Sequence, residues 1–328
     1  MLPQFSYVRP ETLKDTVKHL NVPGAAAHAG GTDLIGCLRD GIMQVNKVVS
    51  LNALPDLHGI RETADGGLLI GAMTTITEVS ESPLVRRKYP GLAQGASEVA
   101  GPQLRNQGTI GGNLCQKPRC WYYRGEFNCL RKGGDNCYAL DGEHLFHAIF
   151  GHDRICVITH PSDTAPPLVA LGAKVRIIGP EGKRTIPVAN LHVSPADNVR
   201  AETVRKQGEV ITHIELPRLP ENLRSSYRKV RARRSWDFAL AGVALALEMD
   251  GDRVNKSRVV LSGAAPVPWR SQPVENAISN RRLNAETIEK AARAVVEGAD
   301  PLPGNMYKLD LFKGLIEEEL YTVSRELR

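Results

Sequence analysis

Ala29-Gly30-Gly31-Thr32-Asp33-Leu34 and Gly108-Thr109-Ile110-Gly111-Gly112-Asn113 are the two stretches on which the reading of this chain turns. The first follows an alanine-rich run of strand character, Ala25 to Ala29. It leads into a short amphipathic helix pattern, Leu34 to Arg39, with Gly41 just past its end. Paired glycines let backbone N–H groups approach an anion without side-chain obstruction. A chain entering a helix also carries unpaired donors and partial positive charge, which suits a phosphate. Asp33 is placed to cap that helix and hold the loop. The second stretch repeats the paired glycines, with Thr109 and Asn113 offering hydrogen bonds. Neither has the spacing of the Rossmann or P-loop fingerprints, and each alone is also ordinary turn chemistry. Two in one domain point to a dinucleotide bound in another way.

The surrounding chain is globular in composition. Its 328 residues predict two domains, and 42% apolar with 24% charged residues leaves material for real cores. The longest apolar run, Phe238 to Leu247, has 10 residues. A membrane-crossing helix needs about 20. The opening MLPQFSYVRPETLKD lacks a basic start followed by an apolar stretch, so no export signal and a cytoplasmic location are expected, unless a signal-bearing partner carries the complex out. The net charge of +6 is uneven: Arg218 to Arg234 holds seven basic residues against Glu221. Aromatics are not interleaved with that strip as single-strand binders require, so a solvated or partner-facing surface is favoured over nucleic acid.

The pattern predicts α+β organisation. Residues 1–58 form a small α/β unit with strands near Phe5 to Arg9 and Val45 to Leu51 around a helix entered at Thr12. Residues 59–220 continue the first domain. Strands are expected at Gly67 to Ala72, Lys174 to Gly179, Thr185 to Val188 and Glu209 to Leu216, regular structure at Ile155 to Thr159 and Leu168 to Leu171, and helix at Thr74 to Val79 and Leu92 to Val99. Prolines and charges at Pro217 to Asn222 mark the boundary to a second domain, 221–328. There, Phe238 to Glu248 and Arg253 to Ser262 read as a hairpin turning at Asp250-Gly251-Asp252, followed by helices at Ala285 to Glu297 and Lys308 to Leu327.

Between the second glycine stretch and His160-Pro161-Ser162-Asp163 lies a segment with neither helical nor strand periodicity, rich in Gly, Arg, Lys, Asn and Tyr. A structureless stretch that long is functional or held by something other than packing. It carries Cys115, Cys120, Cys129, Cys137 and Cys156, while Cys37 stands apart. Six cysteines are too few for a disulfide scaffold, and clustered thiols in a reducing compartment more often hold a metal.

AGGTDL, TIGGNL, His160-Pro161-Ser162-Asp163 and Tyr227-Arg228-Lys229-Val230-Arg231, in that order, resemble the FAD-binding medium subunit of molybdenum hydroxylases, the xanthine dehydrogenase and carbon monoxide dehydrogenase family. The resemblance spans nearly the whole chain, through Asn305-Met306-Tyr307-Lys308 and the last helix. It implies a two-subdomain FAD-binding fold of the PCMH/vanillyl-alcohol-oxidase type, followed by a C-terminal α/β domain of antiparallel strands and helices. It implies that Ala29, Gly30, Gly31, Thr32, Asp33 and Leu34, with Gly108, Thr109, Gly111, Gly112 and Asn113, cradle the FAD pyrophosphate. Asp163 would bind the ribityl or ribose portion, and Lys229 would lie near the flavin. No catalytic residue is expected, since substrate chemistry in such complexes occurs on a separate molybdenum-cofactor subunit, with a small [2Fe–2S] subunit between.

The cysteine segment, 115–156, resembles the insert of family members that carry an extra [4Fe–4S] cluster, namely 4-hydroxybenzoyl-CoA reductase and periplasmic aldehyde oxidoreductase. Spacing alone favours Cys115, Cys120, Cys129 and Cys137 as ligands. The resemblance favours Cys120, Cys129, Cys137 and Cys156, and a bond from Cys120 to Cys156 through a cluster would tie the insert at its base at modest loop-closure cost. Such a cluster would exchange electrons with a partner such as ferredoxin. Zinc is the rival occupant, although no CxxC knuckle is present, and His144, His147 and His152 read as loop histidines. The competing functions are a stand-alone FAD-dependent reductase and a zinc-stapled, non-enzymatic docking subunit.

Overall fold

Thr12 caps the first helix, Leu13–Leu20, its hydroxyl accepting from the Asp15 N–H at 3.1 Å. That helix and Leu34–Arg39 connect three parallel strands, β1 (Ser6–Val8), β2 (Ala25–His28) and β3 (Lys47–Ser50), in the order β1-β3-β2. Val48 and Val49 of the central strand are both buried, as expected where a parallel sheet is covered on two faces. The computed structural model describes residues 1–325.

The second sheet is antiparallel, ordered β4-β5-β8-β6-β7 from β4 (Ile60–Glu62), β5 (Leu68–Gly71), β6 (Lys174–Gly179), β7 (Gly182–Pro187) and β8 (Val210–Leu216). Helices Ile76–Glu81, Pro83–Lys88 and Pro90–Ser97 share its core, where Leu68, Ile70, Val85, Leu92 and Ile214 are fully enclosed. Thr75 and Glu78 form a reciprocal capping box at the first of these helices.

The C-terminal unit is built on β9 (Leu223–Val230), β10 (Ala241–Asp250), β11 (Arg253–Ser262) and β12 (Trp269–Arg270), with β13 (Arg281–Arg282) also pairing with β11. Along β10, Val243, Leu245 and Leu247 face a core shared with Phe312 and Ile316 of the last helix, Tyr307–Arg325. Ala244 and Ala246 face the other way, into a cluster with Tyr227, Val260 and Ala170 of the helix Ala165–Ala170. Both faces of the strand are covered, which is why its sequence is apolar throughout instead of alternating.

Several expectations need correction. Ile155 to Thr159 forms neither strand nor helix. Val157 and Ile158 are buried, but the segment makes isolated backbone bonds, such as Ala148 N–H to the Val157 carbonyl at 2.8 Å, and no ladder. The polar passage 101–113 contains two short helices, Pro102–Gln107 and Ile110–Leu114, so Gly111-Gly112 lies inside a helical turn. The basic strip contains β9, and helix Gln272–Ile278 went unread. The insert holds only two helical turns, Trp121–Arg124 and Leu130–Lys132.

Candidate functional site: a dinucleotide cavity beside a four-thiol chamber

Where β2 ends, Gly31 takes a left-handed φ of +72° and the chain turns into the Leu34–Arg39 helix. Among the described residues, the backbone N–H groups of residues 30–34 make no hydrogen bond, so five consecutive donors are free. A left-handed residue ahead of right-handed ones is the geometry that gathers amides around an anion. Gly30 has a second reason to lack a side chain: a Cβ there would lie 1.9 Å from the Gln107 carbonyl oxygen, so the two glycine stretches touch backbone to backbone.

The second stretch behaves differently. The Gly111 N–H donates to the Ala72 carbonyl at 2.9 Å and the Gly112 N–H to the Thr109 hydroxyl at 3.2 Å. Those amides are spent on local structure, leaving this stretch to supply wall and side chains. Asn113 Oδ1 accepts from Ser162 Oγ at 2.6 Å and Thr164 Oγ1 at 2.7 Å, which ties the stretch to the His-Pro-Ser-Asp loop. Ala29 to Leu34, Gly108, Thr109, Gly111, Gly112, Asn113 and Asp163 all line one cavity of about 640 Å³. That is a cofactor-sized volume.

One expected role is changed, and a second residue stands behind the wall. Asp33 does not cap its helix. Its Oδ2 accepts the Lys117 N–H at 2.7 Å, and its Oδ1 pairs with Arg119 and Arg124 guanidiniums, each at 2.9 Å. All three partners come from the cysteine insert, and Arg124 also donates to Cys37 Sγ at 3.0 Å. Lys229, in turn, does not reach the cavity wall. Its fully buried ammonium donates to Asp163 Oδ2 at 2.8 Å and to the Glu98 carbonyl at 3.1 Å. Tyr227 donates to the other Asp163 oxygen at 2.8 Å. Burial pushes the Asp163 carboxyl up, and Lys229 opposes that as its counter-charge.

Trp236 and Phe238 also line the cavity and are exposed, with the Arg119 guanidinium 5.1 Å from the Phe238 ring. The sequence reads Phe238 as the first residue of a strand that in fact starts at Ala241, and nothing in the pattern marks Trp236. The basic strip around them is largely paired: Arg228 with Glu318, and Arg231 with Glu98 at 2.5 Å.

In the insert, Cys120, Cys129, Cys137 and Cys156 line a single small chamber, together with apolar side chains, Tyr122, Tyr123, Arg131 and His147. Cys115 is not among them and lines the larger cavity instead. The free space between the thiols is about 10 Å³, room for one water. Among the described residues no three His, Cys, Asp or Glu side chains converge tightly enough to hold one metal ion. The Cys137 and Cys156 thiols share a hydrogen bond that makes Cys137 the more acidic, at about 6, while burial pushes Cys120 up to about 11. Glu202 bridges the two sites, pairing with Lys117 at 2.5 Å on the cavity side and with Arg131 at 2.7 Å on the chamber side. Of the insert's histidines, His144 and His152 serve local structure: His144 Nε2 accepts from the Gly304 N–H at 2.9 Å, and His152 Nε2 donates to the Asp300 carbonyl at 2.9 Å.

Residues 3–219 match the family described as the FAD binding domain in molybdopterin dehydrogenase, and residues 225–320 match the CO dehydrogenase flavoprotein C-terminal domain. The chain belongs to the FAD-binding medium subunits of the xanthine dehydrogenase and CO dehydrogenase family, and is an oxidoreductase subunit. It is 36% identical to the aldehyde oxidoreductase FAD-binding subunit PaoB of Escherichia coli K12, over 94% of this chain and 95% of that one. It is 28% identical to the xanthine dehydrogenase FAD-binding subunit of Escherichia coli O157:H7, over 90% and 86% of the two chains. The fold matches a solved carbon monoxide dehydrogenase from Hydrogenophaga pseudoflava with a TM-score of 0.76 and 25% identity, covering 97% and 96% of the two chains. Among the described residues no helix is long and apolar enough to cross a membrane.

Proposed function

We propose that this chain is the electron-transfer flavoprotein of a molybdenum hydroxylase complex, holding FAD in the 640 Å³ cavity and a [4Fe–4S] cluster in the insert. Its partners are a large molybdenum-cofactor subunit, a small [2Fe–2S] subunit and an external acceptor such as ferredoxin, with an aldehyde, purine or aromatic acyl-CoA oxidised on the large subunit. We place the complex in the cytoplasm. The observation that carries the reading is the run of five free backbone donors, residues 30–34, on the wall of a cavity that also gathers the second glycine stretch and Asp163. When bound, a flavin supplies the exchange between single electrons and electron pairs.

The residues divide the work. The free amides bind the diphosphate, and Gly30 brings the two stretches close enough to act as one surface. Asp163, held from behind by Lys229 and Tyr227, presents a fixed carboxylate for a hydroxyl of the sugar or ribityl chain. Asn113 locks that loop to the glycine stretch. No acid or base is required of this chain.

For the chamber, the donor chemistry fits a cluster: four thiols, no carboxylate, and an otherwise mostly apolar wall. In a cluster each thiolate meets a different iron atom, so the ligand set need not converge on one ion, and the hydrogen-bonded thiols of Cys137 and Cys156 would have to part to admit the core. Convergence of Cys156, and not Cys115, on the chamber supports Cys120, Cys129, Cys137 and Cys156 as the ligand set. The test is direct. The full chain prepared anaerobically should release stoichiometric FAD, with iron and acid-labile sulfide near four each per chain. Cys156→Ser should lose the iron while Cys115→Ser keeps it. A chain with no affinity for FAD sinks the functional reading, and stoichiometric zinc without sulfide sinks the cluster.

A further inference from the structure

Three polar atoms at the four-thiol chamber have no partner: both ring nitrogens of His147 and Nε of Arg131. His147 is 5% exposed and Arg131 6%, so water does not take their place. The rest of the Arg131 guanidinium is fixed, with Nη1 donating to the Val199 carbonyl at 2.5 Å and Nη2 to the Ala201 carbonyl at 3.0 Å and Glu202 at 2.7 Å. That anchoring sets the plane of the group and leaves Nε unpaired on a residue that lines the chamber. Buried donors in folded chains are paired in the large majority of cases. Two on one small chamber wall imply an acceptor that belongs there. The other surfaces of the chamber are thiols and largely apolar side chains, and none of them is paired with Arg131 Nε or the His147 ring.

Resting on the cluster reading above, we propose that His147 and Arg131 donate hydrogen bonds to the sulfur atoms of the [4Fe–4S] cluster and so raise its reduction potential. Sulfur accepts more strongly as the cluster gains negative charge, so each donor favours the reduced form. His147 is a positioning and tuning residue here, and all four thiolates remain cysteines.

The experiment is redox titration of the full chain, purified anaerobically, as wild type, His147→Leu and His147→Gln. The expected result is unchanged iron and sulfide in all three, a lower cluster potential in His147→Leu, and recovery toward wild type in His147→Gln, whose amide restores an N–H. A wild-type potential in His147→Leu with its cluster intact overturns this inference and leaves the cluster reading standing. A wild-type chain lacking iron and sulfide overturns both. If His147→Leu fails to load, pulsed EPR of the reduced wild-type protein labelled with 15N-histidine decides. A weak histidine nitrogen coupling supports the hydrogen bond. No coupling, or the strong coupling of a ligated imidazole, overturns it.

Discussion

Asp163 and Lys229 form an ion pair almost wholly withdrawn from water, so each is the condition for the other's burial. Replacing Asp163 with Asn should leave the lysine ammonium unpaired, at a cost of about 3–5 kcal/mol. Urea denaturation of the flavin-free chain checks this, and adding Lys229→Met should recover part of the loss. A second residue-scale effect is acid sensitivity. The His160 and His192 rings lie 4.1 Å apart, and burial holds His192 down at about 4 and His160 well below its ordinary value. In the unfolded chain both titrate near 6.5. Below that pH the unfolded state takes up protons that the folded state refuses, so stability falls as pH drops from about 6.5 toward 4. His192→Gln should keep the hydrogen bond to the Leu114 carbonyl and show a smaller drop in melting temperature between pH 7 and pH 4.5.

At the scale of elements, the short helix Trp121–Arg124 links the two sites. Cys120 stands at its N-terminus and lines the chamber, while Arg124 at its end grips Asp33 and Cys37. Arg124→Leu should weaken FAD retention roughly tenfold, corresponding to about 1.4 kcal/mol. Flavin release on dilution measures it, with iron content as the control for an intact chamber. This link was not legible in the sequence, because Asp33 has a complete local explanation as a helix cap and its real partners lie more than 80 residues away. The elements themselves were largely legible. Helix Leu13–Leu20 and the hairpin of β10 and β11 carry their own period, caps and turn. Ile155 to Thr159 misled because burial without pairing leaves the same apolar signature as regular structure. β9 was hidden by charges that are paired across the fold. The glycine stretches were found from their composition, yet only backbone bonding distinguishes the one with free amides from the one whose amides are used.

Across the whole molecule, the two halves meet where Ala244 and Ala246 of β10 pack on Ala170 and Tyr227. Small residues on that face bring the C-terminal sheet close to the helix that follows Asp163, and Tyr227 reaches across to the carboxylate. The C-terminal half therefore helps to hold the cavity, although none of the glycine stretches belongs to it. Ala244→Leu should overpack this contact and destabilise the protein by about 1–3 kcal/mol. Differential scanning calorimetry should show the single transition broadening or splitting.

Asp33 faces the same space as the free amides of residues 30–34, and both guanidiniums that neutralise it come from residues 117–124. Removing residues 117–124 would expose a bare carboxylate to an anionic guest. A truncated version should reject the coenzyme until position 33 is made neutral as well, so Asp33→Asn and the deletion belong in one genetic step. The segment that holds the thiols is thus also what keeps position 33 neutralised.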